Sequence, residues 1–590
     1  MAGGWKAAAL VVVALIAAGC VTPALTEDLD AASAAGGAFS STHVFDGTYT
    51  LEGDFARVLV QGALTLLPQE RVTFASAYDG ASMEIAFIRP ASADPVPVIV
   101  FASPYLLPLT TVDLNDRLAR LVENFVSHGY AVAAVPVRGT ADHGGCMDLM
   151  GNAERADLDQ AITWLGEQPW STGAIGMLGV SYDGSTPWEV AATGNPYLKT
   201  IVPVSGVNDV YHLMFKNGTN EFRGPLVLNA LYYQYAFVEN NPTNGRAPLH
   251  TATGVACPES LIGLEASVHS AFTGERDPLG FWAERNSRPG VEANYQGSIF
   301  LVQGLQDWNV DPSHAYPWVN ELEARGLVVK HLLGQWAHAW PDSAAETSPH
   351  ARWDWAEILL RWFDRELKGL DVDVGPKVQV EDSAGRWRSD ASWPPADAEP
   401  LTFYLAPGGK LSTTPVSGSE RVPVGPAPKH FPATFENEML DVLCQACALF
   451  ASEPLEGELR FAGMPQLPVT VVPSGPGGHL AAWVYAADDS GRQLVGWGQL
   501  DLRFAEGGET ASVVVPGQPL VARLQIEPLD VVIPAGMHLV VVLHQGSYGD
   551  HMASVPTAPL LVEIGGEASS LTVSAFERDE SVFFVPPGKE

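Results

Sequence analysis

The sequence predicts an α/β protein followed by an all-β domain, on three observations. Continuous apolar runs such as Pro97–Ala102 (PVIVFA) and Tyr130–Val137 (YAVAAVPV) alternate with helical segments, the pattern of a parallel sheet covered on both faces. In Ile175–Gly184 (IGMLGVSYDG) an apolar strand ends at a glycine, presents Ser181 and runs on toward a helix. Beyond about Gly375 the helical signal stops, and short strand-like runs separated by Gly and Pro replace it.

A chain of 590 residues holds several units, and an apolar share of 46% supplies large cores. Basic residues number 33 and acidic ones 68, a net charge of −35. Nucleic-acid binding needs a positive footprint, so that class is excluded, and the surface is that of an acidic, self-repelling soluble protein.

Near the N-terminus Lys6 precedes an apolar stretch, Ala7–Ala18, too short to span a bilayer. It ends Ile16-Ala17-Ala18-Gly19-Cys20, which resembles the lipobox of prokaryotic lipoproteins apart from Ala17 in the usual leucine position. Residues 1–20 are therefore expected to be a lipoprotein signal peptide with Cys20 as the lipidated residue; plain secretion is the alternative. Either way the mature protein is exported and extracytoplasmic, and touches membrane only through that anchor. Disulfides Cys444–Cys447 and Cys146–Cys257 are expected in such a compartment. The Cys444-x-x-Cys447 pair lacks a second ligand pair nearby, so no metal is expected, nor any cofactor.

Residues 21–70 read as a tether and strand-rich lead-in. Residues 71–207 carry the first part of the α/β domain. Val72–Ala75 and Met83–Ile88 flank a turn at Asp79-Gly80, and the buried strands Pro97–Ala102 and Tyr130–Val137 follow. Leu114–His128, Ala153–Leu165 and Pro187–Thr193 read as helix, Ile175–Leu178 and Leu198–Val204 as strand. Residues 208–294 break the rhythm with aromatic-rich helical pieces such as Leu226–Phe237, an insertion expected to cap the strand ends where α/β folds bind ligands. The pattern resumes over 295–374 with strand Ser298–Gln303, helix Val319–Arg325, strand Leu327–Leu333 and helix Trp353–Leu367. Residues 375–590, with runs such as Leu401–Leu405, Val469–Val472, Leu480–Tyr485 and His538–His544, read as a jelly-roll β-sandwich.

A serine on a tight strand-to-helix turn with small residues on both sides is a nucleophile elbow, because a Cβ at Gly179 or Gly184 would collide with its neighbours. A helix whose serine serves as N-cap is the competing reading. Such a serine needs a base and a carboxylate, in chain order serine, acid, histidine. Asp307 follows the strand Ser298–Gln303, and His338 follows Leu327–Leu333 in the same manner. Asp311 competes for the acid, and His331, inside its strand, competes for the base. One oxyanion donor is the Tyr182 backbone N–H. The loop Ser103-Pro104-Tyr105 lacks the glycines that would supply a second amide, so the Tyr105 hydroxyl is the candidate.

Pro104-Tyr105, Val137-Arg138-Gly139-Thr140, Trp164-Leu165 with Gln168-Pro169-Trp170, Gly179-Val180-Ser181-Tyr182-Asp183-Gly184, Asp307-Trp308-Asn309-Val310 and Trp336-x-His338 occur in one order. From about residue 70 onward the chain thereby resembles the Xaa-Pro dipeptidyl-peptidase and cocaine-esterase-like family of α/β-hydrolases. The resemblance implies an α/β-hydrolase fold with a helical cap insertion and a C-terminal jelly roll. It also implies Ser181 as nucleophile, Asp307 as acid, His338 as base and Tyr105 as the oxyanion tyrosine. The stretch Leu198–Pro203 and Asn217-Gly218 look closer to the peptidase branch. Ala141-Asp142-His143 after Thr140, and Ala339 after His338, depart from the family pattern.

The expected function is an exported serine hydrolase, an Xaa-Pro dipeptidyl-peptidase-like exopeptidase acting through an acyl-enzyme on Ser181. Its partner is then a peptide, or a small ester or amide. A free α-ammonium group calls for a carboxylate, with Glu221 and Asp209 as candidates, and a proline pocket calls for aromatics such as Trp308 or Tyr211. A cocaine-esterase-like ester hydrolase or acylase is the alternative within the class. A surface protein that binds without catalysis is the alternative outside it.

Overall fold

The chain enters its main sheet through an antiparallel hairpin, β1 (Glu70–Ala75) and β2 (Ser82–Ile88), turned at Asp79-Gly80 with Gly80 at φ +80°. The computed structural model describes Leu59 and residues 62–587, apart from 107–112, 115–117, 222–257, 278–279, 343–350, 426–446, 508–509, 546–550 and 553–558. The expected signal peptide with Cys20, most of the expected tether, the helix expected at Leu226–Phe237, and Cys257 and Cys444 lie outside the described residues. No helix among the described residues is long and apolar enough to cross a membrane.

The apolar runs become β3 (Val96–Ser103), β4 (Ala131–Pro136), β5 (Ser171–Val180) and β6 (Leu198–Val204). β3 and β4 are buried along their whole length, as strands covered on both faces must be. The cap contributes a small hairpin, β7 (Phe215–Lys216) and β8 (Thr219–Glu221). The main sheet then continues with β9 (Ser298–Gly304), β10 (Val329–Gly334), β11 (Val378–Glu381) and β12 (Trp387–Asp390). Its order is β1-β2-β4-β3-β5-β6-β9-β10-β11-β12, closed by Phe583–Phe584. Every pairing from β4 across to β11 is parallel, so the carboxyl ends of these strands share one edge.

Helices Asn152–Gly166, Tyr182–Thr193 and Trp355–Lys368 pack on the sheet. The last buries Trp355, Leu359, Trp362 and Phe363 at helical spacing and stops at Gly369, φ +66°. Trp362 donates its indole N–H to Thr200 Oγ1 at 2.9 Å, which satisfies its one polar atom inside the core.

The main sheet runs past the expected boundary at residue 375. β11 pairs parallel to β10 and β12 antiparallel to β11, so residues 378–390 and the C-terminal Phe583–Phe584 belong to the first domain's sheet. The rest of the C-terminal region is all-β around a core that includes Phe403, Phe461, Val484, Leu524 and Val562. The cap lies against both domains. Among the described residues, helices Val210–Met214, Pro258–Thr273, Phe281–Glu284 and Arg288–Asn294 belong to it together with the β7–β8 hairpin. β8 pairs with His551–Met552 of the β domain, Asn217 Nδ2 donates to the Gln499 carbonyl (3.1 Å), and the Asp501 N–H donates to the Asn217 carbonyl (3.0 Å).

Candidate active site

Ser181 joins β5 to the helix Tyr182–Thr193 with φ +64° and ψ −125°. An L residue held there stores roughly 1–3 kcal/mol of strain and persists only where its surroundings enforce it. The enforcement is visible. The Ser181 N–H donates to the Val204 carbonyl of β6 at 3.0 Å, and Ser185 Oγ donates to the Ser181 carbonyl at 2.8 Å. A Cβ on Gly184 would lie 2.6 Å from the Val204 carbonyl oxygen, and one on Gly179 would overlap the Asp183 backbone. No side-chain cap bond from Ser181 is made to the helix, so the geometry is that of an elbow and not of an N-cap serine.

Asp307 and His338 come from the loops that follow β9 and β10, at the same sheet edge as Ser181. Asp307 is fully buried. Its Oδ1 accepts the N–H groups of Asn309 (2.9 Å) and Val310 (3.0 Å), and its Oδ2 lies 2.7 Å from His338 Nδ1. A carboxylate only accepts, so Nδ1 carries the proton and Nε2 is the basic nitrogen. The two loops are tied together by Leu305 N–H to the Gly334 carbonyl (2.8 Å) and Gln306 N–H to the Trp336 carbonyl (3.2 Å). The competitors have other work. His331 is buried with Nδ1 2.6 Å from the Tyr316 hydroxyl, and Asp311 pairs with Lys216 at 2.7 Å.

Tyr182 is buried, and its hydroxyl donates to Glu154 Oε2 at 2.8 Å while accepting the Met150 N–H at 3.2 Å. The Tyr182 side chain is thus locked, which fixes the backbone amide proposed as oxyanion donor. Burial, then the charge of Asp148, pushes the Glu154 carboxyl up to about 8. Tyr105 is half-buried and packs against the apolar cluster of Val137, Tyr182, Tyr211, Phe215 and Val310, which joins the cap to the sheet edge.

The four expected substrate-binding residues separate. Asp209 caps the helix Val210–Met214 through the Tyr211 N–H (3.0 Å) and His212 N–H (3.4 Å), and its Oδ2 is 2.6 Å from the Arg276 guanidinium. That carboxylate is already neutralised, so the structure gives Asp209 a cap's role. Tyr211 is buried, stacked on Phe215 and covered by Arg276. Trp308 turns toward the β domain and packs on the cluster of Trp483, Tyr485 and Trp497. Glu221 ends β8, its backbone in register with His551. Cys146 and Cys447 are both disulfide-bonded; their expected partners lie outside the described residues.

Residues 79–340 match the family model of the X-Pro dipeptidyl-peptidase (S15 family), and residues 371–559 match that of the X-Pro dipeptidyl-peptidase C-terminal non-catalytic domain. The chain belongs to the S15 family of serine hydrolases. A putative Xaa-Pro dipeptidyl-peptidase of Streptomyces avermitilis is 29% identical over 70% of this chain, and the match spans 61% of that relative's length. A cocaine esterase of a Rhodococcus species is 26% identical over 58% of this chain and 63% of its own. The crystal structure of an aminopeptidase from a marine-sediment thaumarchaeon superposes with a TM-score of 0.69 at 17% identity, over 91% of this chain and all of that one, which shows a shared fold.

Three supports of this S15 site escaped the sequence reading. Ser185 accepts the Val207 N–H (2.8 Å), Thr186 Oγ1 donates to the Ala102 carbonyl (3.1 Å), and Glu154 holds Tyr182. The hydroxyls lie one turn past the elbow, a position open to inspection. Glu154 faces Tyr182 only because two helices pack together.

Proposed function

We propose that this chain is an exported serine hydrolase that removes Xaa-Pro dipeptides from peptide N-termini, with Ser181, His338 and Asp307 as its catalytic triad. The observation that carries the reading is the Asp307–His338 bond of 2.7 Å at the same sheet edge as the strained Ser181 elbow. In this reading His338 Nε2 takes the Ser181 proton as Oγ attacks the carbonyl of the penultimate proline. The tetrahedral oxyanion is held by the Tyr182 N–H and the Tyr105 hydroxyl. His338 then protonates the leaving amine, and water releases the dipeptide by the reverse sequence. Asp307 stays ionised and stabilises the imidazolium. Glu221, on the cap, is the remaining candidate partner for the free α-ammonium group. The disulfides at Cys146 and Cys447, with the expected lipobox at Cys20, support export.

The family model and the Streptomyces relative favour the peptidase. The Rhodococcus relative supports a second reading, an ester hydrolase with the same triad. Fluorophosphonate labelling abolished by Ser181→Ala supports either and excludes a binding protein without catalysis. Turnover of Ala-Pro-p-nitroanilide above that of p-nitrophenyl butyrate supports the peptidase; turnover of the ester alone refutes it.

A further inference from the structure

The acid loop is held from a direction that the triad does not explain. Lys216, on β7 of the cap, is buried to 2% exposure, and its Nζ forms ion pairs with Asp311 at 2.7 Å and with Glu527. Both carboxylates are buried as well. Asp311 lies on the same short loop as Asp307, Lys216 on the cap, and Glu527 between the strands Leu520–Gln525 and Leu529–Ile533 of the β domain. Glu527 Oε2 also accepts the Ser313 N–H at 3.3 Å, so one β-domain side chain holds the acid loop through an amide and through a cation.

A few residues on, the same β-domain segment reaches the histidine loop. Gln335 Nε2 donates to the Asp530 carbonyl at 3.2 Å, while the Gln335 N–H donates to Glu381 Oε2 at 2.8 Å. Asp530 is itself fixed by a two-pronged pairing with the Arg388 guanidinium, 2.7 Å on one side. Residues 527–530 therefore touch both loops that carry the Asp307–His338 pair.

Burying one cation and two carboxylates is a poor way to gain stability, because desolvation cancels most of the attraction. What such a group supplies is fixed geometry among the segments it joins. The charges also act on one another. Burial pushes the Asp311 carboxyl up to about 8 against the pull of Lys216, and the charges of Glu527 and Asp307 push in the same direction as burial.

We propose that Lys216 and Glu527 are positioning residues for the catalytic acid, so that the C-terminal β domain sets the placement of the Asp307 loop through a buried Glu527–Lys216–Asp311 relay. This rests on the triad reading. A relay of this kind acts on the step that needs an aligned imidazole and leaves the substrate's ground-state contacts alone, so its removal lowers kcat and spares KM.

The test compares Lys216→Met, Glu527→Gln, the double variant, and Glu563→Gln, which breaks the exposed Arg421–Glu563 pair elsewhere in the β domain. Glu527→Gln keeps an acceptor for the Ser313 N–H and loses only the charge, so it decides the matter even where Lys216→Met does not fold. Enzyme concentration is fixed by fluorophosphonate titration, and by absorbance for Ser181→Ala; p-nitrophenyl butyrate and Ala-Pro-p-nitroanilide are the substrates. The expected result is a fall in kcat of about tenfold or more in each single variant, with KM within about twofold, and a double variant no more than about threefold below the worse single one. Glu563→Gln is expected to match wild type. Single variants with wild-type kcat, or losses that multiply in the double variant, overturn the relay. Ser181→Ala in the same assay separates the two readings. Turnover that survives it refutes the triad, whereas a dead Ser181→Ala beside fully active relay variants refutes the relay alone.

Discussion

His338 Nδ1 and Asp307 Oδ2 stand 2.7 Å apart across two loops, with Asp307 fully buried and both of its oxygens engaged. In Asp307→Asn the amide oxygen still accepts the Asn309 and Val310 N–H groups, so the loop stays folded. Its NH2 group then faces His338 and forces the wrong tautomer. The expected outcome is a loss of kcat on the order of 10,000-fold with KM little changed, read from steady-state kinetics on protein with a wild-type melting curve.

Tyr105 follows β3 in a loop without glycine-supplied amides. If its hydroxyl donates to the oxyanion, Tyr105→Phe lowers kcat by about 100- to 1000-fold and leaves KM within a few-fold. Equal kcat for the two proteins assigns Tyr105 to packing against the apolar cluster that contains Tyr182 and Val310 instead.

The elbow holds Ser181 in a strained backbone conformation. Ser181→Gly and Ser181→Ala both remove the proposed nucleophile, but only glycine adopts φ +64° without penalty. Chemical denaturation should find Ser181→Gly more stable than Ser181→Ala by about 1 kcal/mol. The reverse order would show the elbow to be unstrained.

Glu154 makes stability depend on pH. Its folded carboxyl is pushed up to about 8 by burial, above its ordinary value of 4.5, so the native state binds the proton more tightly than the unfolded one. The sign is therefore a loss of stability as pH rises from about 4.5 to about 8, by at most about 1.4 kcal/mol per pH unit. Glu154→Gln keeps an acceptor for Tyr182 and removes the titration. Relative to wild type, it should gain stability between pH 6 and pH 9 in urea unfolding. A constant difference across that range would show that Glu154 does not titrate there.

What the sequence discloses follows the range of the interactions involved. Gly179, Ser181 and Gly184 constrain one another within six residues, so the elbow is legible without a structure. Asp307 and His338 are legible because each directly follows a buried apolar strand. Asp209 was open to misreading, since a carboxylate at the mouth of a cap suits a ligand as well as a helix terminus. Arg276, which decides between them, is remote in sequence. β7 and β8 are too short to show a period, and β11 reads as one more short strand until its parallel pairing with β10 assigns it to the first sheet. The Lys216–Asp311–Glu527 group spans three regions of the chain and has no local pattern at all.

The most direct measurement is kcat/KM for Ala-Pro-p-nitroanilide beside its N-acetylated form, with wild type and Ser181→Ala. A dipeptide-releasing S15 peptidase acting through Ser181 turns over the free-amine substrate, rejects the acetylated one by about 100-fold or more, and loses both activities in Ser181→Ala. Equal turnover of the two arylamides, or turnover that survives Ser181→Ala, contradicts it.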